Sequence, residues 1–185
     1  MKSILFRVLA LVGLLVCFGS AGFAQGSTYI FPGITINDNI MVGNLNQSPT
    51  TASIGFYDSS GKLNPLTVEL LPGTQTRVNP SSVALTSFTG SVVITAPLPL
   101  TVSADRFEGN TAFDFIYPSP VDTSLIIPFL PSGAATDVNV FNPGPNQAEV
   151  KVVLMQANGA HTDSRTATVD ALHTATISIP SSSAV

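Results

Sequence analysis

The chain has 185 residues, of which 44% are hydrophobic and only 10% charged, with one Cys, no Trp and a formal net charge of −4. Charged residues make up about a quarter of an average soluble domain. The low charged fraction argues against a helix-rich cytosolic protein with a Lys- and Glu-rich surface and is typical of secreted β proteins. The length allows one domain or two small ones.

Residues 1–24 have the layout of a secretory signal peptide. Lys2 and Arg7 precede an apolar run, and a stretch of small residues ends at Ala24, after which cleavage is expected. A transmembrane anchor needs about 20 apolar residues, more than this run supplies. Lipid attachment at Cys17 is a second alternative, disfavoured because the preceding residue is not small. The protein is therefore expected to be secreted, to the periplasm or the cell exterior.

Cleavage removes the only cysteine and two of the seven basic residues. The mature chain keeps five basic and eleven acidic side chains, a net charge of −6. Without cysteine it forms no disulfide, thiolate nucleophile or Cys-ligated metal site. Without clustered Lys and Arg, binding to nucleic acid or anionic lipid is not expected. No later apolar run is long enough to predict a membrane span.

Two parts of the mature chain follow one pattern, in which an Asn opens a Pro-containing turn, an apolar strand follows, and a Gly closes the next turn. The matched segments are 44–61 with 142–159 at an offset of 98, then 67–69 with 168–170, 79–82 with 179–182, and 30–32 with 126–128. The chain is therefore predicted to hold two homologous modules, 25–110 and 124–185, joined by an interdomain strand or linker at 111–123.

Module one is predicted to form seven short strands. Apolar runs and period-two alternation indicate strands, and Gly and Pro mark turns such as 58–61 and 71–73. The predicted strands are 29–36, 39–45, 52–57, 66–71, 74–78, 91–96 and 100–107. Seven strands at this spacing predict an all-β fold of the immunoglobulin-like sandwich type.

Module two has counterparts of only the first five strands. They are predicted at 125–128, 137–141, 148–155, 166–170 and 174–179. An incomplete sandwich leaves apolar faces and strand edges open, to a protein partner or to self-association. The alternating aromatic stretch 113–117 is one candidate to fill the gap, and a truncated gene is the other explanation.

Three segments resemble a known class of protein. They are the Asn-Pro-Gly turn and strand at 142–159, the strands and turns over 56–78, and the strand pair over 90–104. These segments resemble bacterial extracellular immunoglobulin-like modules, such as the cell-adhesion-related domain found in bacteria. The resemblance covers most of the mature chain and rests on scaffold features. It implies a surface spacer or adhesive module and carries over no catalytic residue.

Candidate catalytic or metal-binding residues are few. His161 and His173, near Asp163 and Asp170, are the one group that suggests zinc or acid–base chemistry, but zinc needs three or four converging ligands. The repeat places the two histidines in turns at opposite ends of a strand. We therefore prefer the interpretation that both are solvent-exposed turn residues. A turn likewise explains 58–61 better than a calcium loop. No catalytic residue, metal or cofactor is predicted.

A charged and aromatic cluster at the end of module one is the candidate interaction surface. Its members are Asp105, Arg106, Phe107, Phe113, Phe115 and Tyr117. Loops on rigid sandwiches often carry recognition, and grouped aromatic side chains can expose an apolar patch. The simpler interpretations are a solvated strand end with an Asp105–Arg106 pair, aromatic packing at the hinge, and a stiff Pro-containing linker over 117–120.

The expected function is that of a secreted, non-catalytic module, a structural spacer or adhesive element at the cell surface. One alternative is an assembly subunit whose incomplete second sandwich accepts a strand from a partner by β-augmentation. A carbohydrate-binding accessory domain or a hydrolase is the other. The lack of Trp disfavours a sugar site, because such sites favour exposed aromatic platforms.

Overall fold

The computed structural model describes residues 26–108, 112–116, 118–119, 124–125, 135–156 and 158–180. The predicted leader, Tyr117 and most of the strand expected at 125–128 lie outside these ranges, and Leu125 lies in no strand. The side chains of Phe107, Phe113 and Phe115 are also outside the description. No helix within the described ranges has the length and hydrophobicity that a bilayer span requires.

The described part of the chain is all β apart from a 3₁₀ turn at Pro80–Val83. The strands are β1 (Ser27–Thr35), β2 (Asn39–Gly43), β3 (Thr50–Asp58), β4 (Leu63–Leu70), β5 (Gln75–Val78), β6 (Thr89–Ala96), β7 (Thr101–Glu108), β8 (Ala112–Ile116), β9 (Thr136–Phe141), β10 (Ala148–Met155), β11 (His161–Val169) and β12 (Thr174–Ile179). The all-β prediction is confirmed. Most bounds lie within about three residues of those expected, while β11 begins five residues before the predicted start at 166.

Strands β1 to β8 form two four-stranded antiparallel sheets packed face to face. Sheet A has the order β1-β6-β3-β4 and sheet B the order β5-β2-β7-β8. Alternate side chains point between the sheets, so that in β3 Ile54 and Phe56 are fully buried while Thr51 and Ser53 are exposed. Apolar residues of both sheets form one core, whose removal from water is the main stabilising term.

The strand order departs from the immunoglobulin order at its two ends. Strands β2 to β6 take the positions of B, C, C′, E and F. However, β1 pairs with β6, where an immunoglobulin sandwich has its last strand, and β7 pairs with β2, where it has its first. The sandwich is therefore as predicted, with the positions of its terminal strands exchanged.

Strand β8 belongs to module one. It pairs with β7 at the edge of sheet B, with Phe113 opposite Phe107. The expectation that 113–117 fills the gap in module two is therefore wrong, and module one extends past the predicted boundary at 110. Beyond β8, the N–H of Ser119 donates to the carbonyl of Ile30 at 2.7 Å, which ties the predicted linker to the edge of β1.

The second unit consists of two antiparallel pairs, β12-β9 and β10-β11. They correspond to β5-β2 and β3-β4. The offset of 98 residues holds as far as the β10–β11 turn, where Tyr57 opposite Leu63 matches Met155 opposite His161. It becomes 99 afterwards, because Thr162 is an extra residue at a register shift in β11.

Two of the segment alignments expected from the sequence need correction. The offset of 99 pairs 67–69 with 166–168 rather than 168–170, and it places the start of 79–82 at 178 rather than 179. A single extra residue inside a strand is absorbed as a bulge and leaves no turn residue in the sequence. The sequence therefore gives no local sign of where the offset changes.

Candidate interaction surface

The predicted surface around Asp105 and Arg106 lies on β7, next to β8. Side chains of β7 alternate, and Ala104 lies in the core, so Arg106 points inward and Asp105 outward. The two neighbours therefore do not form the Asp105–Arg106 pair considered from the sequence. Each is held by a residue distant in the chain.

Arg106 links three parts of module one. Its Nε donates to Asp38 Oδ1 at 3.1 Å, and its Nη2 donates to Asp38 Oδ2 at 2.8 Å and to the carbonyl of Gly33. Asp38 is only 1% exposed, and its Oδ2 also accepts the N–H of Thr35 at 2.8 Å. Such two-point Arg–carboxylate pairs are strong and fix orientation. Arg106 therefore ties β7 to β1 and to the β1–β2 turn at one end of the sandwich.

Asp105 lies on the outer face of sheet B and is 8% exposed. It stands opposite Asn39 on one side and Phe115 on the other, and its Oδ2 is 3.8 Å from Arg77 Nη2. A pair of this length with a half-exposed arginine contributes less than about 1 kcal/mol. Asp105 therefore offers little free surface to a partner.

The two histidines lie apart in the topology. His161 opens β11, whereas His173 precedes β12, with its Nδ1 2.8 Å from a backbone carbonyl of its own turn. Asp163 pairs with the arginine two residues later at 2.9 Å, and Asp170 accepts a glutamine amide at 2.6 Å. Within the described residues, no three His, Cys, Asp or Glu side chains are grouped as metal ligands.

Segment 58–61 forms the turn between β3 and β4. Asp58 Oδ1 accepts the backbone N–H of Ser60 and of Lys62, both at 2.9 Å, and the Ser60 hydroxyl at 2.6 Å. The hydrogen bond from the Ser60 hydroxyl is the main cause that holds the pKa of Asp58 below its usual value. Asp58 thus caps its own turn, and Gly61 closes it with a φ of 77°.

The outer face of sheet B carries a shallow depression of about 310 Å³, which is open to solvent. It is lined by Met41, Gly43, Gln75, Thr101, Val102 and Ser103. None of these side chains is charged or titratable. The depression therefore supplies no acid, base or charged group to a substrate.

Asn44 is a fully buried asparagine that organises the loop between β2 and β3. Its Nδ2 donates to the carbonyls of Ser48 and Leu70 at 2.9 and 3.1 Å. Its Oδ1 accepts the backbone N–H and the side-chain amide of Asn46, both at 2.9 Å. The amide thus uses its two donors and both acceptor sites.

Asn142 occupies the equivalent position in the second unit and makes the equivalent three contacts with the backbone. Its Nδ2 donates to the carbonyls of Asn146 and Val169 at 2.7 and 3.0 Å, and its Oδ1 accepts the N–H of Gly144 at 3.0 Å. The sequence shows an Asn at the start of each matched block. It does not show that both side chains are buried, so their role was missed.

The second unit packs against the outer face of sheet A. The rings of Tyr57 and Phe141 lie 5.5 Å apart between centroids. The hydroxyls of Ser91 and Thr174 are hydrogen-bonded at 2.8 Å, and Ser91 is fully buried. Side chains on one face of β9 and β12 therefore contact the outward side chains of β3 and β6. The opposite face of β9 and β12 is left for the core of the second unit.

That inner face is less well covered than its counterpart in module one. Val150 and Val152 of β10 are half-buried, whereas the equivalent Ala52 and Ile54 of β3 are 0% exposed. In module one, β3 lies between β4 and β6, and β2 between β5 and β7. Over the described residues, β10 pairs only with β11 and β9 only with β12, so each keeps one edge without a neighbouring strand.

No family model and no curated protein matches the chain. Among solved structures, the chain is similar to Thermotoga maritima 1070, with a TM-score of 0.43 and 14% sequence identity. The match covers 50% of this chain and 91% of that one. A likeness at this level assigns no function.

Proposed function

We propose that the chain is a secreted, non-catalytic tandem β-sandwich protein that serves as an extracellular structural or adhesive module. The repeated scaffold carries this assignment. Both units build the same four strands, and Asn44 and Asn142 hold the same loop in each. A second copy of one scaffold adds length and surface, as expected of a spacer. The signal-peptide pattern of 1–24 and the resemblance to bacterial extracellular immunoglobulin-like modules support the same role.

The outer face of sheet A is consistent with this role. Ser53 lies opposite Thr67 on one side and Thr95 on the other, and all three are exposed. Cross-strand hydroxyl pairs stabilise a sheet face that remains hydrated. This uncharged row of hydroxyl side chains suits an exported β protein better than a charge-rich cytosolic one.

Export is tested on the tagged full chain in its host. The mature protein is expected to begin at Gln25, and external protease should remove it from intact cells if it is surface-bound. An Ala24→Arg variant, which loses the small residue before the cleavage site, should keep its leader. A cytosolic wild-type protein that still begins at Met1 would contradict the proposal.

The adhesive role has a separate test. Cells without the gene should attach to a surface or to each other less than the parent, and the wild-type gene should restore attachment. Unchanged attachment would refute the adhesive role, and a spacer role would then be judged by whether neighbouring surface proteins lose exposure.

A second candidate function is that of an assembly subunit. The open edges of β9 and β10 and the half-buried Val150 and Val152 favour it. An added strand would cover this apolar row and satisfy the free backbone groups at the same time. Association of the purified full chain, measured by sedimentation, tests this candidate.

A further inference from the structure

The free edge of β10 differs from several other sheet edges of this protein. β4 contains Pro65, β1 contains Pro32 beside a register shift, and β5 has only four residues. Such features protect natural edges from unwanted pairing. β10 has eight residues with neither Pro nor Gly, so it lacks these protective features and is well suited to accept another strand.

We propose that β10 pairs antiparallel with β10 of a second copy of this chain, around a two-fold axis beside Val150. The two β10-β11 pairs would then join into one four-stranded sheet. Such an interface is isologous, so it closes as a dimer. This proposal rests on the second candidate function, that of an assembly subunit, and it identifies the partner as a second copy of this chain.

The charges of β10 select the register. Glu149 and Lys151 are exposed on the same face of the strand. With Val150 opposite Val150 of the second copy, each Glu149 lies opposite the other copy's Lys151, which gives two attractive pairs. Moving the axis to Glu149 or to Lys151 instead places identical charges opposite each other, which is destabilising.

The backbone supports the same register. The N–H of Gln156 donates to the carbonyl of Ala160 across the β10–β11 turn at 2.9 Å. Because backbone groups of a strand point alternately to its two sides, the even-numbered residues of β10 face β11, and Glu149 and Lys151 face the free edge. In the proposed register these two residues meet as a hydrogen-bonded pair, and Val150 meets Val150 between them.

The inner face gains apolar contacts in this register. Ala148 lies opposite Val152 of the second copy, and Val150 lies opposite its own equivalent. These side chains are half-buried in the single chain, so pairing removes further apolar surface from water. Attraction on the outer face and burial on the inner face therefore select the same alignment.

A charge-swap experiment tests the interface on the full mature chain. Sedimentation velocity should show a concentration-dependent dimer for the wild type. Glu149→Lys places two Lys–Lys pairs at the interface, and Lys151→Glu places two Glu–Glu pairs. Each should raise the dimer dissociation constant by about tenfold or more. The double variant restores opposite charges and should dimerise within a few-fold of the wild type.

A mixture of the two single variants gives the sharpest readout. In a heterodimer of Glu149→Lys with Lys151→Glu, both cross-strand pairs again join opposite charges. The mixture should therefore associate more tightly than either variant alone, and high salt should reduce this difference. Both side chains are exposed, so circular dichroism should show that each variant stays folded.

A wild-type chain that remains monomeric at every concentration would overturn the interface. Single variants that dimerise as the wild type does, or a mixture no tighter than its components, would overturn this register. These failures leave the export test untouched, since a monomer can still begin at Gln25 outside the cell. Conversely, a cytosolic chain would refute the proposed location whether or not it dimerises.

Discussion

Replacing Asn44 with Ala removes a fully buried amide from the loop between β2 and β3. The carbonyls of Ser48 and Leu70 and the N–H of Asn46 each lose the hydrogen bond that the amide provides. Leu70 is 1% exposed, so its carbonyl gains little from water. With about 1 kcal/mol for each of the two bonds that water replaces and about 1–3 kcal/mol for the buried carbonyl left unpaired, Asn44→Ala should cost about 3–5 kcal/mol.

Urea unfolding of the full chain, followed by circular dichroism, measures this cost. Ser48→Ala is the matched control, because it removes an exposed hydroxyl and keeps the carbonyl that Asn44 binds. Its effect should stay within about 0.5 kcal/mol. A loss below about 1 kcal/mol for Asn44→Ala would refute the reasoning, since it would mean that water replaces the amide at little cost.

Asn142→Ala extends the comparison to the second unit. Its side chain makes the same contacts but is 8% exposed, so a slightly smaller loss of about 2–3 kcal/mol is expected. The matched control is Asn146→Ala, which keeps the backbone carbonyl. If the two units unfold separately, Asn44→Ala and Asn142→Ala should each shift a different transition.

Three smaller perturbations have outcomes of known direction. Arg106→Leu strips the counter-ion from buried Asp38 and should lower the free energy of urea unfolding by about 2–4 kcal/mol; an unchanged midpoint would contradict the role given to this pair. Leu172 has a φ of 61° where its counterpart Gly73 has 69°, so Leu172→Gly should raise the stability by about 0.5–1 kcal/mol and increase the melting temperature, whereas a decrease would show that side-chain packing outweighs strain. The pKa of Asp58 is lower in the folded chain than its usual value of 3.8, so its contribution to stability is present above that value and lost as the pH falls through the folded pKa. In Asp58→Asn, the free energy of unfolding should therefore fall less steeply as the pH is lowered below about 3.8. The same pH dependence in the variant and the wild type would refute this assignment.

Strand positions were predictable because their signals are local. The apolar run at 52–57, the alternation at 74–78 and the turn residues at 58–61 and 71–73 each depend on neighbouring residues only. The same alternation places Asp105 and Arg106 on opposite faces of β7, a signal that argued against their pairing. What it does not reveal is that Arg106 binds Asp38, which lies 68 residues earlier.

The strand exchange and the position of β8 were not predictable in this way. Neither the length nor the composition of β1 and β7 states which sheet each joins, because strand pairing depends on residues distant in the chain. The inserted Thr162 was hidden for a related reason. A bulge accommodates one residue without a Gly or Pro to mark it.

Sequence by itself determined the all-β class and the approximate strand bounds, since these follow from periodicity and turn chemistry. Only the tertiary structure decided that Arg106 binds Asp38, that Asn44 and Asn142 are buried, and that β10 pairs only with β11 among the described residues. The reason is physical. Local patterns specify which face of a strand is apolar, whereas the packing of distant strands determines what lies against that face.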